Sequence, residues 1–234
     1  MAMILGVGGS PRKKGNSDVM LHRILNAAKE QGATVEEVHL RDYAFSSCIG
    51  CEKCRVDKCC TGIRDGMQLL YPKVERAHAL VLASPAHNYN VSALMKGFID
   101  RLYAYFDFSN DHPRKYTSRL GGMGRVAGFA GVCEQTEPDD LGFTIEGMRR
   151  PLAALGYESL GQVAAFGVFH VGRVKQQEHA MRHCDALGQE LAKNAMAMRD
   201  AVEKALKDEQ DKGKGGMEEL GEDEVTDDGG NREE

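Results

Sequence analysis

The 234-residue chain has no tryptophan and no apolar run near the roughly eighteen residues that a membrane span requires. The first absence excludes nothing. The second argues against a transmembrane helix. The opening residues, MAMILGVGGSPRKK, carry no basic stretch ahead of their short apolar run and no cleavage-like site after a long one. That speaks against a secretory signal and leads us to expect a cytoplasmic protein. No block of basic residues points to nucleic acid. Neither a G-x-G-x-x-G fingerprint nor a Gly-Lys-Ser/Thr phosphate loop follows the first apolar run, so the two commonest nucleotide signatures are missing.

The composition that remains is that of a globular protein, with 42% hydrophobic and 28% charged residues. Its net charge of -5 is unevenly spread. Residues 207–234 hold twelve acids and four bases, whereas residues 1–206 hold 26 bases and 23 acids. We therefore expect one folded domain over residues 1–206 and a disordered acidic tail over residues 207–234.

Apolar runs at Met3–Gly8, Thr34–Leu40, Ala79–Ser84, Arg125–Val132 and Glu158–Val168 predict five strands. Helical spacing predicts helices after Asn16, over Met67–Arg76 with a break or a start at Pro72, over Ser92–Phe106, within Pro138–Leu155, and over Val174–Leu206. Residues 107–123 read as a polar loop. Strands alternating with helices imply right-handed crossovers and a parallel sheet. Five strands suit the doubly wound order 2-1-3-4-5, in which ligands sit at the carboxyl ends of strands 1 and 3.

Three segments fall on that edge. The first, Gly9-Ser10-Pro11-Arg12-Lys13-Lys14-Gly15-Asn16-Ser17, suits a phosphate. Ser10, Asn16 and Ser17 are donors, Arg12 is a cation, and a helix N-terminus follows. The second, Ser84-Pro85-Ala86-His87-Asn88-Tyr89-Asn90-Val91-Ser92, offers amides and an aromatic ring where a planar heterocycle could lie, with Ser92 as a helix cap. The third is Gly131-Val132-Cys133-Glu134-Gln135, after the fourth strand. The aromatic group Tyr103, Tyr105, Phe106 and Phe108 reads first as helix core, with a cover for such a ring or an oligomer contact as alternatives.

Five of the seven cysteines lie within Cys48–Cys60, in the loop after strand 2. Spread staples of a secreted scaffold would not cluster so. Cys48, Cys51 and Cys54 follow one another at x2 spacing, and a fourth thiol comes at Cys59 or Cys60. Structural zinc takes Cys-x2-Cys pairs separated by a longer span. Consecutive x2 spacings suit a compact [4Fe–4S] site, with zinc and a redox thiol loop as the other readings.

The three loops, with Val91-Ser92-Ala93-Leu94-Met95-Lys96-Gly97-Phe98-Ile99-Asp100-Arg101, resemble the flavodoxin-like NADPH-dependent FMN reductases over roughly residues 3–170. With the cysteine segment, the chain is similar to the iron–sulfur flavoproteins. The resemblance implies a flavodoxin-like fold and FMN. Its phosphate would lie on Ser10, Arg12, Asn16 and Ser17, and its ring on Pro85, Ala86, His87, Asn88, Tyr89 and Val132. It implies a [4Fe–4S] cluster on Cys48, Cys51, Cys54 and, by the family's x5 spacing, Cys60. It further implies electron relay between cluster and flavin, often across a subunit interface, in a homodimer or homotetramer. Ferredoxin or NAD(P)H would serve as the small redox partner, with neither nucleic acid nor membrane involved. A cluster-free FMN or quinone reductase and a non-catalytic redox- or metal-sensing module are the alternatives. No general acid or base stands out, and electron relay requires none.

Overall fold

The computed structural model describes residues 1–218, and their side chains as far as residue 205. Its elements begin with β1 (Met3–Gly8), α1 (Asn16–Glu30) and β2 (Thr34–His39). A short helix α2 (Lys53–Asp57) interrupts the cysteine segment, and α3 (Met67–Arg76), β3 (Ala79–Pro85) and α4 (Ala93–Arg101) follow. Then come β4 (Phe106–Phe108), β5 (Tyr116–Ser118), β6 (Val126–Val132), α5 (Thr144–Ala154), β7 (Glu158–Ala165) and α6 (Glu178–Glu218).

The main sheet has five parallel strands in the order β2-β1-β3-β6-β7. Counting only its own strands, that is the expected 2-1-3-4-5. Side chains on β3 alternate between the two faces. Leu80 and Leu82 join the core beneath α3, α4 and α5, whereas Ala79, Val81 and Ala83 join the core beneath α1 and α6. Both faces are covered, which is why the strands read as continuous apolar runs. The helix after β1 lies on one face and the helix after β3 on the other. The loops leaving these neighbouring strands therefore part, and a crevice opens between them.

Several elements differ from expectation, among them the helix expected over Ser92–Phe106, which ends at Arg101 and passes into a 3-10 turn over Leu102–Tyr105. Residues 107–123 are not simply a loop: β4 and β5 pair as an antiparallel hairpin, Phe106 opposite Ser118 and Phe108 opposite Tyr116. Pro72 lies inside α3 rather than breaking or starting it, and Pro151 lies inside α5. The buried face of Met67, Leu70, Tyr71 and Val74 outweighs the one hydrogen bond that Pro72 removes. Helix α6 starts at Glu178, four residues past the expected Val174, and continues beyond Leu206 to Glu218. Residues Met1–Arg199 form one compact unit, and a second begins at Asp200. Of the expected acidic tail, residues 219–234 lie outside the described residues. Among the described residues no helix is long and apolar enough to cross a membrane.

Candidate functional site

Among the described residues, two cavities gather the expected site residues. The first, of about 390 Å3, sits over the crevice between β1 and β3. Ser10, Arg12, Asn16 and Ser17 line one end; Pro85, Ala86, His87, Asn88 and Val132 line the rest. All the expected flavin residues thus meet in one place except Tyr89, which lies outside the lining and is 62% exposed.

The phosphate end is built by the loop between β1 and α1. Gly15 stands at the N-cap of α1 and offers no side-chain cap, so the first N–H groups of the helix face the loop. The Ser10 hydroxyl accepts from the Arg12 N–H at 3.2 Å and lies 3.0 Å from the Arg12 carbonyl, which curls the loop. The Ser17 hydroxyl is buried and has no hydrogen-bond partner among the described residues. A buried donor beside an uncapped helix start fits an anionic oxygen. Asn16 is used differently. Its side-chain N–H donates to the His170 carbonyl at 3.1 Å, and its Oδ1 accepts from the Val174 N–H at 3.2 Å. It fastens the segment after β7 across the cavity.

That segment was not legible as part of the site. Val168, Phe169 and Val171 complete the wall, with Glu134. The Arg12 guanidinium lies 4.9 Å from the Phe169 ring centroid and donates to the Phe169 carbonyl at 3.3 Å. Arg41 is a second unforeseen residue. It donates to the Ser10 carbonyl at 3.1 Å and pairs with Asp18 at 2.9 Å, beneath the phosphate loop. Burial alone would raise the Asp18 carboxyl, but His39 and Arg41 outweigh it and hold Asp18 below the usual carboxylate range. His39 lies between Asp18 at 3.5 Å and Glu37 at 3.2 Å, and these partners push its pKa up to about 9.

The ring end depends on a tight turn. Asn88 and Tyr89 both have positive φ, 48° and 60°, and His87 and Asn90 bond each other's backbone across them. This is the twist of a primed two-residue turn, which asparagine favours at the first position. The Tyr89 carbonyl accepts from the Phe143 N–H at 2.7 Å, so the turn leans on the segment before α5. Ser92 joins the two crevice loops as expected of a cap and more. Its hydroxyl donates to the Gly9 carbonyl at 2.6 Å and accepts from the Met95 N–H at 3.2 Å.

The second cavity, of about 400 Å3, belongs to the cysteine segment. Cys48, Cys51, Cys54 and Cys60 all line it; Cys59 is exposed and stands outside the lining. Burial first, then the charges of Cys60, Cys48 and Cys51, push the Cys54 thiol up. The Gly50 N–H points to the Cys48 sulfur at 3.5 Å. A Cβ at Gly62 would meet the Cys51 sulfur, so the chain passes close to that thiol. Among the described residues no three His, Cys, Asp or Glu side chains converge on a single-ion site. Four cysteines nonetheless line one hollow, and thiolates are the donors that an iron–sulfur cluster takes. These residues fit the implied group.

Of the aromatic group, Tyr103 alone lines this cavity and none lines the first, while Tyr105 lies in the core against Tyr71. Tyr103 stacks on Phe108 at 5.0 Å between centroids, and Phe106 meets Tyr116 at 5.2 Å. These rings are part of the β4–β5 hairpin and the turn before it, so the helix-core expectation fails for Phe106 and Phe108. Their alternation matches strand geometry, but each strand is only three residues long.

Comparison with known proteins agrees with this geometry. The family model of NADPH-dependent FMN reductases matches residues 2–138. An iron-sulfur flavoprotein of Archaeoglobus fulgidus is 34% identical over 189 residues, covering 80% of this chain and 78% of that protein. One from Methanocaldococcus jannaschii is 36% identical over 98 residues, covering 42% of this chain and 50% of that protein. Among solved structures, an FMN-dependent NADH-azoreductase from Bacillus anthracis, in complex with FMN, has a TM-score of 0.62 at 17% identity. It covers 82% of this chain and 100% of the other, and the likeness is one of fold. The sheet order, the crevice loops and these matches together make the chain a member of the NADPH-dependent FMN reductase family and a relative of the iron–sulfur flavoproteins, an FMN-dependent oxidoreductase of flavodoxin-like fold.

Proposed function

We propose that this oxidoreductase relays electrons between FMN in the first cavity and a [4Fe–4S] cluster held by Cys48, Cys51, Cys54 and Cys60 in the second. The observation that carries the reading is the shared cavity: four of the five clustered thiols line it, and Cys59 does not. The names of the archaeal relatives support it. Bound there, the flavin would supply one- or two-electron exchange and the cluster one-electron exchange.

The chain's own residues hold and enclose. The Ser17 hydroxyl, the Arg12 guanidinium and the first N–H groups of α1 bind the phosphate, with Ser10 shaping their loop and Asn16 closing the wall. Pro85, Ala86, His87, Asn88 and Val132 hold the ring, and Tyr89 supports their turn through its backbone. Arg41 keeps Asp18 from opposing an anion nearby. No side chain has to move a proton for an electron to pass. We further propose a cytoplasmic homo-oligomer that takes or gives electrons through NAD(P)H or a ferredoxin-like protein.

Anaerobic purification, with iron, sulfide, zinc and FMN assayed on one sample, tests the reading. About four irons and one FMN per chain are expected. Cys60→Ala should lose iron and keep FMN, and Cys59→Ala should keep both. FMN with zinc, or FMN with no metal after reconstitution, would overturn the relay.

A further inference from the structure

Arg101 is a large side chain to be buried so completely: it closes α4 with only 2% of its surface exposed. A guanidinium withdrawn from water is costly unless its donors are met. Here the fork is met by residues that flank the cysteine segment on both sides. One terminal nitrogen donates to the Ser46 carbonyl at 2.9 Å and to Asp65 at 2.8 Å. The other donates to Asp65 at 3.2 Å and to the Ile63 carbonyl at 3.4 Å. Ser46 lies just before Cys48, and Ile63 just after Cys60. The fork therefore ties the two ends of the ligand-bearing segment to one point. Arg101 also lines the cavity that the four cysteines share, and its Nε is buried with no hydrogen-bond partner among the described residues.

We infer that Arg101 is a positioning residue for the iron–sulfur centre, clamping both ends of the cysteine loop and leaving a buried positive charge in the wall of the cavity. The inference rests on the reading of Cys48, Cys51, Cys54 and Cys60 as cluster ligands. It adds that the charge balance of the Arg101–Asp65 pair sets how readily the centre takes an electron. A fixed positive charge favours the more negative, reduced state; a neighbouring carboxylate opposes it. Asp65 accepts from the Ser46 and Met67 N–H groups as well as from Arg101, so it stays ionised and its charge enters that balance.

The test is the one-electron midpoint of the reconstituted holoprotein, read by EPR with dithionite supplying the electron, alongside iron and FMN content. Arg101→Gln should move the oxidised-to-reduced ratio about tenfold towards oxidised at a fixed potential, a fall of about 59 mV. Asp65→Asn, nearly isosteric, should move it the opposite way. Arg101→Lys keeps the charge without the fork; it should stay near the wild-type midpoint but lose iron to a chelator several-fold faster. A purely structural role would not give shifts of opposite sign. If wild-type protein holds the centre and neither Arg101→Gln nor Asp65→Asn moves its midpoint, this inference fails alone. If Arg101→Gln cannot be loaded while FMN stays bound, Asp65→Asn decides, and an unmoved or lowered midpoint overturns the proposal. If wild-type protein holds no iron–sulfur centre, the ligand reading fails and this inference with it.

Discussion

The hydroxyl of Ser17 is buried among polar neighbours yet bonded to none of them among the described residues. In the free protein that is a cost, and a bound phosphate would remove it. Ser17→Ala should therefore weaken FMN binding while leaving the FMN-free protein as stable as before, or more so. A hydrogen bond to a charged group contributes about 1.5–3 kcal/mol, so the dissociation constant should rise roughly tenfold to hundredfold. Fluorescence titration with FMN, beside thermal melting of the apoprotein, separates the two effects. His39 makes a second prediction at this scale. Its pKa is about 9 in the fold, raised by Asp18 and then Glu37, against about 6.5 in an unfolded chain. A raised pKa gives stability that is complete below about pH 6.5 and is lost as pH climbs through about 9. With the ring partly exposed, the loss should be about 2 kcal/mol rather than the full value of the shift. Urea unfolding at pH 6.5 and 9.5 measures it, and His39→Gln should flatten the difference. The residue scale was also the most legible in the sequence. Ser10, Arg12, Ser17, His87 and the four cysteines sit in short-range motifs, and their gathering into two cavities could be expected from their own spacing. Arg41, Arg101 and Phe169 were not legible, because each reaches its site from a distant element and carries no local pattern.

Among the elements, α6 and α1 cross more closely than their sequences suggest. A Cβ at Gly188 would lie 2.2 Å from the Ile24 carbonyl oxygen and 2.8 Å from the Ala27 side chain. Helix propensity alone favours Gly188→Ala by about 1 kcal/mol. Overpacking against backbone costs about 1–3 kcal/mol or more, and it should win. The variant should melt several degrees lower, and a higher melting temperature would show that the helices can part. Ser92→Ala removes both a helix cap and the bond to the Gly9 carbonyl. It should cost about 2 kcal/mol in urea unfolding and should also weaken FMN binding, because the two crevice loops lose their tie. The capping role could be read from Ser92 itself; the tie to Gly9 depends on two strands meeting. The β4–β5 hairpin was missed for a related reason. Three-residue strands give no usable period, and their aromatic residues are indistinguishable from a helical stripe until the hairpin closes.

In the whole molecule, the two core layers lie on either side of the five-stranded sheet and owe little to the cysteine segment, of which only Cys54 and Cys60 pack against the core. Stripping iron from the loaded protein should therefore leave FMN bound and shift the melting temperature by no more than about 2–4 °C, the equivalent of about 1 kcal/mol. A collapse of the far-ultraviolet circular dichroism on chelation would show instead that the loop is integral to folding. The sheet order was legible because alternating strands and helices leave few topologies open. The loop's shape was not, since nothing in Cys48–Cys60 specifies the arginine that gathers its ends.

Helix α4 is capped by Ser92, which is tied to the Gly9 carbonyl, and ends at Arg101, in the wall of the cysteine cavity. Its nine residues at 1.5 Å each make a rigid spacer of about 13 Å. Within one chain the spacing between the Ser92 tie and the Arg101 end is thus set by helical rise rather than by loop length. Such a spacer admits change only in steps. A single inserted residue would lengthen it by about 1.5 Å but swing Arg101 by about 100° around the axis, away from Ser46 and Asp65. Natural variation in the distance between the two cavities is accordingly expected to arrive in whole turns, or to come from the loops at either end and leave α4 at its present length.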